Sequence, residues 1–498
     1  MSNFFQKVTY LFSATSKRWQ SLSLFSHNLI INLFLGLSVV FVLWLFSDYP
    51  WLMDAEDASM DWLMQISQNS IPPLHEKDIP NFVFLDVDDE TYYDWGEPLF
   101  MPSRQHLVNI INAAIEAKAR LIIVDFEIGR RMPLENHQLH PDDQVLKDYL
   151  IRYIDECKEK QDDSVCPLII LKRSLMDEER SIPILRTHFL DELMVQPTPY
   201  VQWASTQFYP RGDKIIRQGK LWQSACTSDK QPVIIPSVEL LAMSVVKKDC
   251  ITQDIQNILQ LFTPENCDKD TAAEPLFNLC GVNTEKRGID KRIMYSMGWL
   301  VNNYPPMLPY LLTDESGTPA LNIFSAQPYA EPIPQADLTD MEGSIVVIGG
   351  SYRDGREIYL TSLGKMPSAL IVVNTLYSLL YYEKFELPLI VDVLIKVLFV
   401  FILSVFFRIF PSRWGMSITG MLTIFGLLPV AMFLFLHYSM WFNFAIPLVV
   451  ISVYQIIRKP FEPWLWSYTL ELYQKFLLTP FWQRITSFTI TKTMVIET

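Results

Sequence analysis

Residues 81–87 (NFVFLDV) and 121–126 (LIIVDF) are two short runs of aromatic and β-branched residues, the first followed at once by Asp88 and the second carrying Asp125 at its end. Neither alternates polar with apolar, so each reads as a strand buried on both faces. The first run leads into the acidic turn Asp88-Asp89-Glu90-Thr91. Pro102-Ser103 then offers a helix start, and Leu107, Ile110, Ile111, Ala114 and Ile115 recur at helical spacing before Ala119-Arg120 leads into the second run. A strand, a helix and a second fully apolar strand form a βαβ unit, which requires a parallel sheet.

Working outward, residues 167–171 (PLIIL) and 344–348 (SIVVI) read as further strands, the latter running into Gly349-Gly350-Ser351. Residues 209–217 (YPRGDKIIR) read as a turn and a strand, and 235–246 as a helix capped near Ser237 with Pro236 beside it. The stretch from Lys247 to Arg292 shows no clean period and reads as loop or insertion. Parallel strands put Asp88 and Asp125 at one sheet edge, where open α/β folds hold ligands. Gly349-Gly350-Ser351 reaches the same edge if its strand is parallel too, with Arg353 and Asp354 close behind. The competing reading is that strand-end acids cap helices or bind buried arginines.

The chain has 498 residues, 50% of them hydrophobic, and four uncharged or nearly uncharged runs lie at 29–46, 387–407, 415–436 and 441–457. Each is roughly long enough to cross a hydrocarbon core of about 30 Å. Lys7, Lys17 and Arg18 precede the first run, and Asp48, Asp54, Glu56, Asp57 and Asp61 follow it. Arg408 and Arg413 separate the second and third runs, and Arg458 with Lys459 follows the fourth. The positive-inside rule then predicts a cytoplasmic segment 1–28, one span at 29–46, an exterior domain at 47–386, three spans within 387–457, and a cytoplasmic or interfacial tail at 458–498. Residues 47–386 hold all but four of the 55 acidic residues, which argues against a nucleic-acid partner. Asp392 and Lys396 stand four apart in the second span and are candidates for coupling across the membrane or for a local ion pair.

All six cysteines, Cys157, Cys166, Cys226, Cys250, Cys267 and Cys280, fall in the exterior segment, as disulfides in an oxidising compartment would. Cys157 with Cys166 and Cys267 with Cys280 are the short-loop pairings.

At these residues the sequence resembles the CHASE type-2 family, extracellular sensory domains found in bacterial adenylate cyclases, serine/threonine kinases and histidine kinases. The resemblance rests on Val87-Asp88-Asp89, Met101-Pro102 with Arg104, Ala117-Lys118 leading to Val124-Asp125, Gly212 through Ile216-Arg217, the proline and helix at Pro236 to Ala242, and Ile345 to Gly350 with Asp354, Thr361, Met366-Pro367 and Asn374. The sequence departs from the pattern at Ser368 and at Val372-Val373, and the cysteine-bearing stretch before Arg292 has no counterpart. One span before and three after the domain is also the family's arrangement. The resemblance implies an extracytoplasmic α/β sensor in a bacterial inner or plasma membrane, and no single ligand.

The 41 residues after the last run are too few for a kinase or cyclase domain, so signalling is expected to pass through a protein partner. The alternative is a non-catalytic structural component of an envelope complex. Homo-oligomerisation and an unknown small ligand remain open. Candidate ligand residues are Asp88, Asp89, Arg104, Asp125, Arg217, Arg353 and Asp354. No enzyme motif is present: there is no G-x-S-x-G, H-E-x-x-H or G-x-x-x-x-G-K, and no C-x-x-C. No cofactor is expected. Mg²⁺ or Ca²⁺ on Asp88, Asp125 and Asp354 is a minor alternative. The polar cluster Glu135, His137, His140, Asp142 and Asp143 reads as a solvated loop rather than a metal site.

Overall fold

The computed structural model describes residues 49–67, 80–96, 103–128, 139–160, most of 166–247, 277–279, 282–284, 291–299, 319–381 apart from 356, 428–438, and isolated positions elsewhere. The chain divides into two units, Asp61–Phe385 and Met1–Met60 with Glu386–Thr498. In order, the elements are α1 (Pro50–Ser67), β1 (Phe82–Val87), α2 (Asp89–Asp94), α3 (Arg104–Glu116), β2 (Leu121–Val124), α4 (Pro141–Lys160), β3 (Leu168–Lys172) and β4 (Val201–Ala204). They continue as β5 (Ile215–Ile216), β6 (Trp222–Cys226), β7 (Pro232–Pro236), α5 (Val238–Val246), β8 (Leu321–Ser325), β9 (Ile345–Gly350), β10 (Ile358–Thr361), β11 (Gly364–Pro367), α6 (Ser368–Tyr381) and, in the other unit, α7 (Leu428–Tyr438).

The expected parallel sheet is present, with six strands in the order β8-β1-β9-β2-β3-β4. Every pairing within it is parallel. Its four central strands are buried on both faces because helices cover both. Val83, Leu85, Val87, Ile122, Val124, Ile169, Leu171, Val346 and Ile348 join the apolar residues of α3 and α4 in one core. The alternate residues, Phe82, Phe84, Leu121, Ile123, Ile170, Ile345 and Val347, are fully buried on the other face, where α5 packs on β2 and β3 and α6 on β9 and β1. Each such side chain contributes about 1.5–3 kcal/mol on leaving water, enough to make the three-layer arrangement the dominant stabilising feature.

Two strands carry no clear signal in the sequence. β4 (VQWA) and β8 (LNIFS) lie at the two edges of the sheet, each with a neighbour on one side only, and both tolerate polar residues. β9 arrives between β1 and β2, so the two strands of the first βαβ unit are not neighbours. α5 begins as expected, with Ser237 Oγ accepting from the Leu240 N–H at 3.1 Å. A second, four-stranded sheet continues from β7 and β6 through the short strands Ile184–Leu185 and Leu175–Met176, and a third joins β11, β10 and β5.

Cys157 and Cys166 are bridged, tying the end of α4 to the start of β3. The expected Cys267–Cys280 pairing is not formed: Cys267 is bonded to Cys226 at the end of β6, across 41 residues. Loop-closure entropy rises only slowly with length, so the shorter loop held little advantage over the partner that folding brought within reach. Cys250 and Cys280 lie outside the described residues, as do Asp392, Lys396, Glu135, His137 and residues 458–498. The four apolar runs also fall largely outside them, α7 being the one continuous helix described there. Among the described residues, no helix is long and apolar enough to cross a membrane.

Candidate functional site

The carboxyl ends of the six strands form one edge, and the acids at it fall into two groups. The first is built on β1 and β9. Asp86 is the one charged residue within β1, in register with Ser325 of β8 on one side and Gly349 of β9 on the other. Its carboxylate accepts the Ser351 N–H at 2.8 Å and the Ser351 hydroxyl at 2.7 Å. Burial pushes the Asp86 carboxyl up to about 7 against those two hydrogen bonds, with the charges of Asp88 and Asp89 adding to the rise.

Asp88 points elsewhere. It is the N-cap of α2, and its Oδ1 accepts the Thr91 N–H at 2.7 Å. Asp89 accepts the Arg353 N–H at 2.8 Å and pairs with the exposed Arg353 guanidinium at 3.2 Å, which ties the loop after β9 to the first turn of α2. Asp354 lies in the same short turn, Arg353–Gly355. Gly349 and Gly350 serve close packing: a Cβ on Gly349 would stand 2.5 Å from the Ala369 Cβ of α6, and one on Gly350 2.5 Å from the Tyr352 ring. Tyr352 in turn stacks on Tyr92 of α2 with ring centroids 4.4 Å apart.

The second group is built on β2, β3 and α5. Asp125, directly after β2, is fully buried, and neither of its carboxylate oxygens has a hydrogen-bond partner. Lys172, at the end of β3, places its Nζ 3.2 Å from Asp125 Oδ1 and 3.0 Å from Glu357 Oε1. Burial lowers the Lys172 ammonium pKa, but Asp125 and Glu357 outweigh it and hold the group above the ordinary lysine range. Glu357 is pushed up to about 7 by burial, opposed by Lys172 and assisted by Asp125. Glu239, in the first turn of α5, is buried and is also raised to about 7, by burial first and then by the Asp125 charge. Glu239 lines a cavity of about 10 Å³, shared with Ser205, Thr206, Phe208, Trp222 and Ser237 among others. The Thr206 hydroxyl is buried there without a hydrogen-bond partner.

Two of the three candidate arginines are engaged in buried ion pairs, while the third, Arg353, pairs with Asp89 at the surface. Arg104 is fully buried at the start of α3, with Nε 3.1 Å from Asp143 Oδ1 in the first turn of α4. The neighbouring Asp142 accepts the Arg104 backbone N–H at 3.2 Å, and so satisfies an orphan donor at the α3 terminus. Arg217, after β5, grips Asp61 of α1 through Nε at 2.9 Å and a terminal nitrogen at 2.8 Å, and also meets Asp213 at 2.6 Å. Arg292 at 3.4 Å and the Ser362 hydroxyl at 2.6 Å complete the shell around Asp61. Asp61 and Asp213 outweigh burial and raise the Arg217 pKa.

The sheet thus brings Asp88, Asp89, Asp125 and Arg353 to one edge, with Asp88 engaged as a cap, and Arg217 belongs to a different sheet. For Asp88 and for the two arginines, the competing reading of caps and buried pairs describes the geometry. Among the described residues, no group of three or more His, Cys, Asp or Glu side chains is arranged to hold a metal ion, so the cation site on Asp88, Asp125 and Asp354 gains no support. His140, Asp142 and Asp143 of the polar cluster contact one another or Arg104.

Four residues of the edge went unread in the sequence: Asp86, Lys172, Glu239 and Glu357. Asp86 and Glu239 carried a signal, since each is a charge set within an apolar run, and Lys172 a weaker one, as the first of the Lys172-Arg173 pair that closes such a run. Glu357 carried none, because it follows a turn and reaches the edge through the fold alone.

No curated protein and no solved structure matches the chain. The family model for the CHASE2 domain, a family of extracellular sensory domains, matches residues 35–407. That match spans well over half of the chain and takes in the whole parallel sheet, and the chain therefore belongs to the CHASE2 domain family.

Proposed function

We propose that this protein is a membrane-anchored, non-catalytic extracytoplasmic sensor in a bacterial inner or plasma membrane. The observation that carries the reading is the family match across residues 35–407, over an α/β domain whose acids gather at the strand ends. In this reading residues 29–46 and three runs within 387–457 cross the membrane, with the domain outside. The two disulfides agree with an oxidising exterior. A change at the sheet edge shifts the packing of α5 and α6, which contact each other, and residues 387–407 follow α6 in the chain. A cytoplasmic or membrane partner docking near Arg408, Arg413 and residues 458–498 receives the signal.

A second reading, a scaffold within an envelope complex, is favoured by one observation: Asp88, Arg104 and Arg217 are all held by internal contacts. Purification from native membranes with associated proteins separates the two. Recovery of a kinase, cyclase or other signalling partner supports the sensor. A single stoichiometric assembly without one sinks it.

A further inference from the structure

The edge over β2 and β3 gathers Asp125 and Glu357 around the ammonium of Lys172, and the buried Glu239 lies near enough to Asp125 to feel its charge. Glu127 and Tyr359 are also near Glu357, and Lys220 lines the cavity beside Glu239. Asp125 has no exposed surface, and among the described residues its one close side-chain partner is Lys172, at 3.2 Å. With all three acids ionised, the buried group would carry an uncompensated negative charge, which a low-dielectric interior resists. Two remedies exist, a bound cation or a bound proton. The Lys172 ammonium already stands where a cation beside Asp125 would sit, and the described residues show no group of three or more His, Cys, Asp or Glu side chains set to hold a metal, which favours the proton.

We infer that this edge is a proton-binding site, at which Glu239 and Glu357 take up protons opposite Asp125 and Lys172 as the surrounding solution acidifies. An independent observation supports a route to it. The cavity that Glu239 shares with Ser205, Thr206 and Ser237 measures about 10 Å³, close to the room one water requires. The Thr206 hydroxyl in its wall is 8% exposed and lacks a partner, as a group that hydrogen-bonds such a water would. Both acids are raised to about 7, which puts their titration within the range that an exterior compartment samples.

The consequence reaches the helices. Glu239 stands in the first turn of α5, and the Glu357 carbonyl accepts the N–H of Ser368, the first residue of α6, at 2.8 Å. Losing charge at either carboxyl weakens its hold on the neighbouring charges and so biases the α5–α6 pair. Proton binding itself does not depend on the sensor reading; its use as the input does.

The test is infrared difference spectroscopy on the full chain in detergent micelles, stepped between about pH 8 and pH 5 in light and heavy water. The expected result is a protonated-carboxyl band that grows with a midpoint above pH 6. Glu239→Gln and Glu357→Gln should each remove part of it. Lys172→Met, which removes the favourable positive charge, should move the midpoint upward by a unit or more. The inference is overturned if no carboxyl protonates above pH 5 in the wild type. It is equally overturned if, with Asp86→Asn added to remove the other carboxyl raised to about 7, the band persists in the Glu239→Gln/Glu357→Gln double variant, or if Lys172→Met leaves or lowers the midpoint. Suppression of the band by millimolar Mg²⁺ or Ca²⁺ at fixed pH would assign the site to a cation instead. None of these readouts involves a partner, so failure here leaves the sensor reading standing, and the absence of a partner leaves the proton site standing.

Discussion

Arg104 offers the sharpest separation between a ligand contact and a fold contact. Its side chain and that of Asp143 are both fully buried, with Nε 3.1 Å from Oδ1, at the paired starts of α3 and α4. Replacing Arg104 by Met keeps the backbone N–H that donates to Asp142 and much of the side-chain volume, but strands the Asp143 carboxylate inside the protein. Breaking a buried pair from one side costs about 3–5 kcal/mol. Asp143→Leu strands the guanidinium at similar cost. The double variant Arg104→Met/Asp143→Leu leaves neither charge and should recover most of the loss, since an apolar pair of like volume is often neutral or better. The coupling between the two positions is therefore expected to be at least about 2 kcal/mol, well above the scatter of additive sites. The assay is a melting series on the full chain in detergent, in which about 3–5 kcal/mol corresponds to a fall of roughly 6–10 °C for a domain of this size. Hydrogen exchange at the first turns of α3 and α4 localises the effect. Additive single-variant losses, or an Arg104→Met protein that melts within about 2 °C of the wild type, would refute the argument and return Arg104 to the ligand candidates.

The remaining predictions use the same preparation. Asp61→Asn leaves Arg217 and Arg292 facing a neutral amide and should cost about 3 kcal/mol, with exchange rising first at residues 61–67; protection unchanged there contradicts the clamp. Asp86 is raised from 3.8 to about 7, so the fold favours its protonated form, and the stability it contributes is complete below about pH 4 and lost as pH rises through about 7. The full span is on the order of 4 kcal/mol, and Asp86→Asn should flatten that part of the pH–melting curve and melt higher than the wild type at pH 8. Peptide mapping under non-reducing conditions should recover Cys157–Cys166 and Cys226–Cys267, and recovery of Cys267–Cys280 would overturn the second bridge. Asp88→Ala removes a helix cap and should cost about 1 kcal/mol, and Asp88→Ser should restore it, because a hydroxyl also accepts the Thr91 N–H.

What the sequence determined by itself was local. Unbroken apolar runs at β1, β2, β3 and β9 named buried parallel strands, the recurrence from Leu107 to Ile115 named α3, and Ser237 named the start of α5, because periodicity and capping act over a few residues. Cys157 and Cys166 were legible for the same reason, being nine residues apart. Side-chain partners were not. Asp61 meets Arg217 across 156 residues and Ser351 meets Asp86 across 265, and no short-range pattern encodes a contact that depends on strand order. Placing β9 between β1 and β2 decided that Ser351 stands beside Asp86, while the fold beyond β9 delivered Glu357 to Lys172. The sequence placed Asp88 and Asp125 at one edge, whereas only the tertiary structure added Asp86, Glu239 and Glu357 and decided which acids cap, which are paired, and which are left buried with more negative than positive charge around them. The physical reason is that burial and the sum of neighbouring charges set the state of a carboxyl, and both are properties of the assembled sheet edge rather than of any segment.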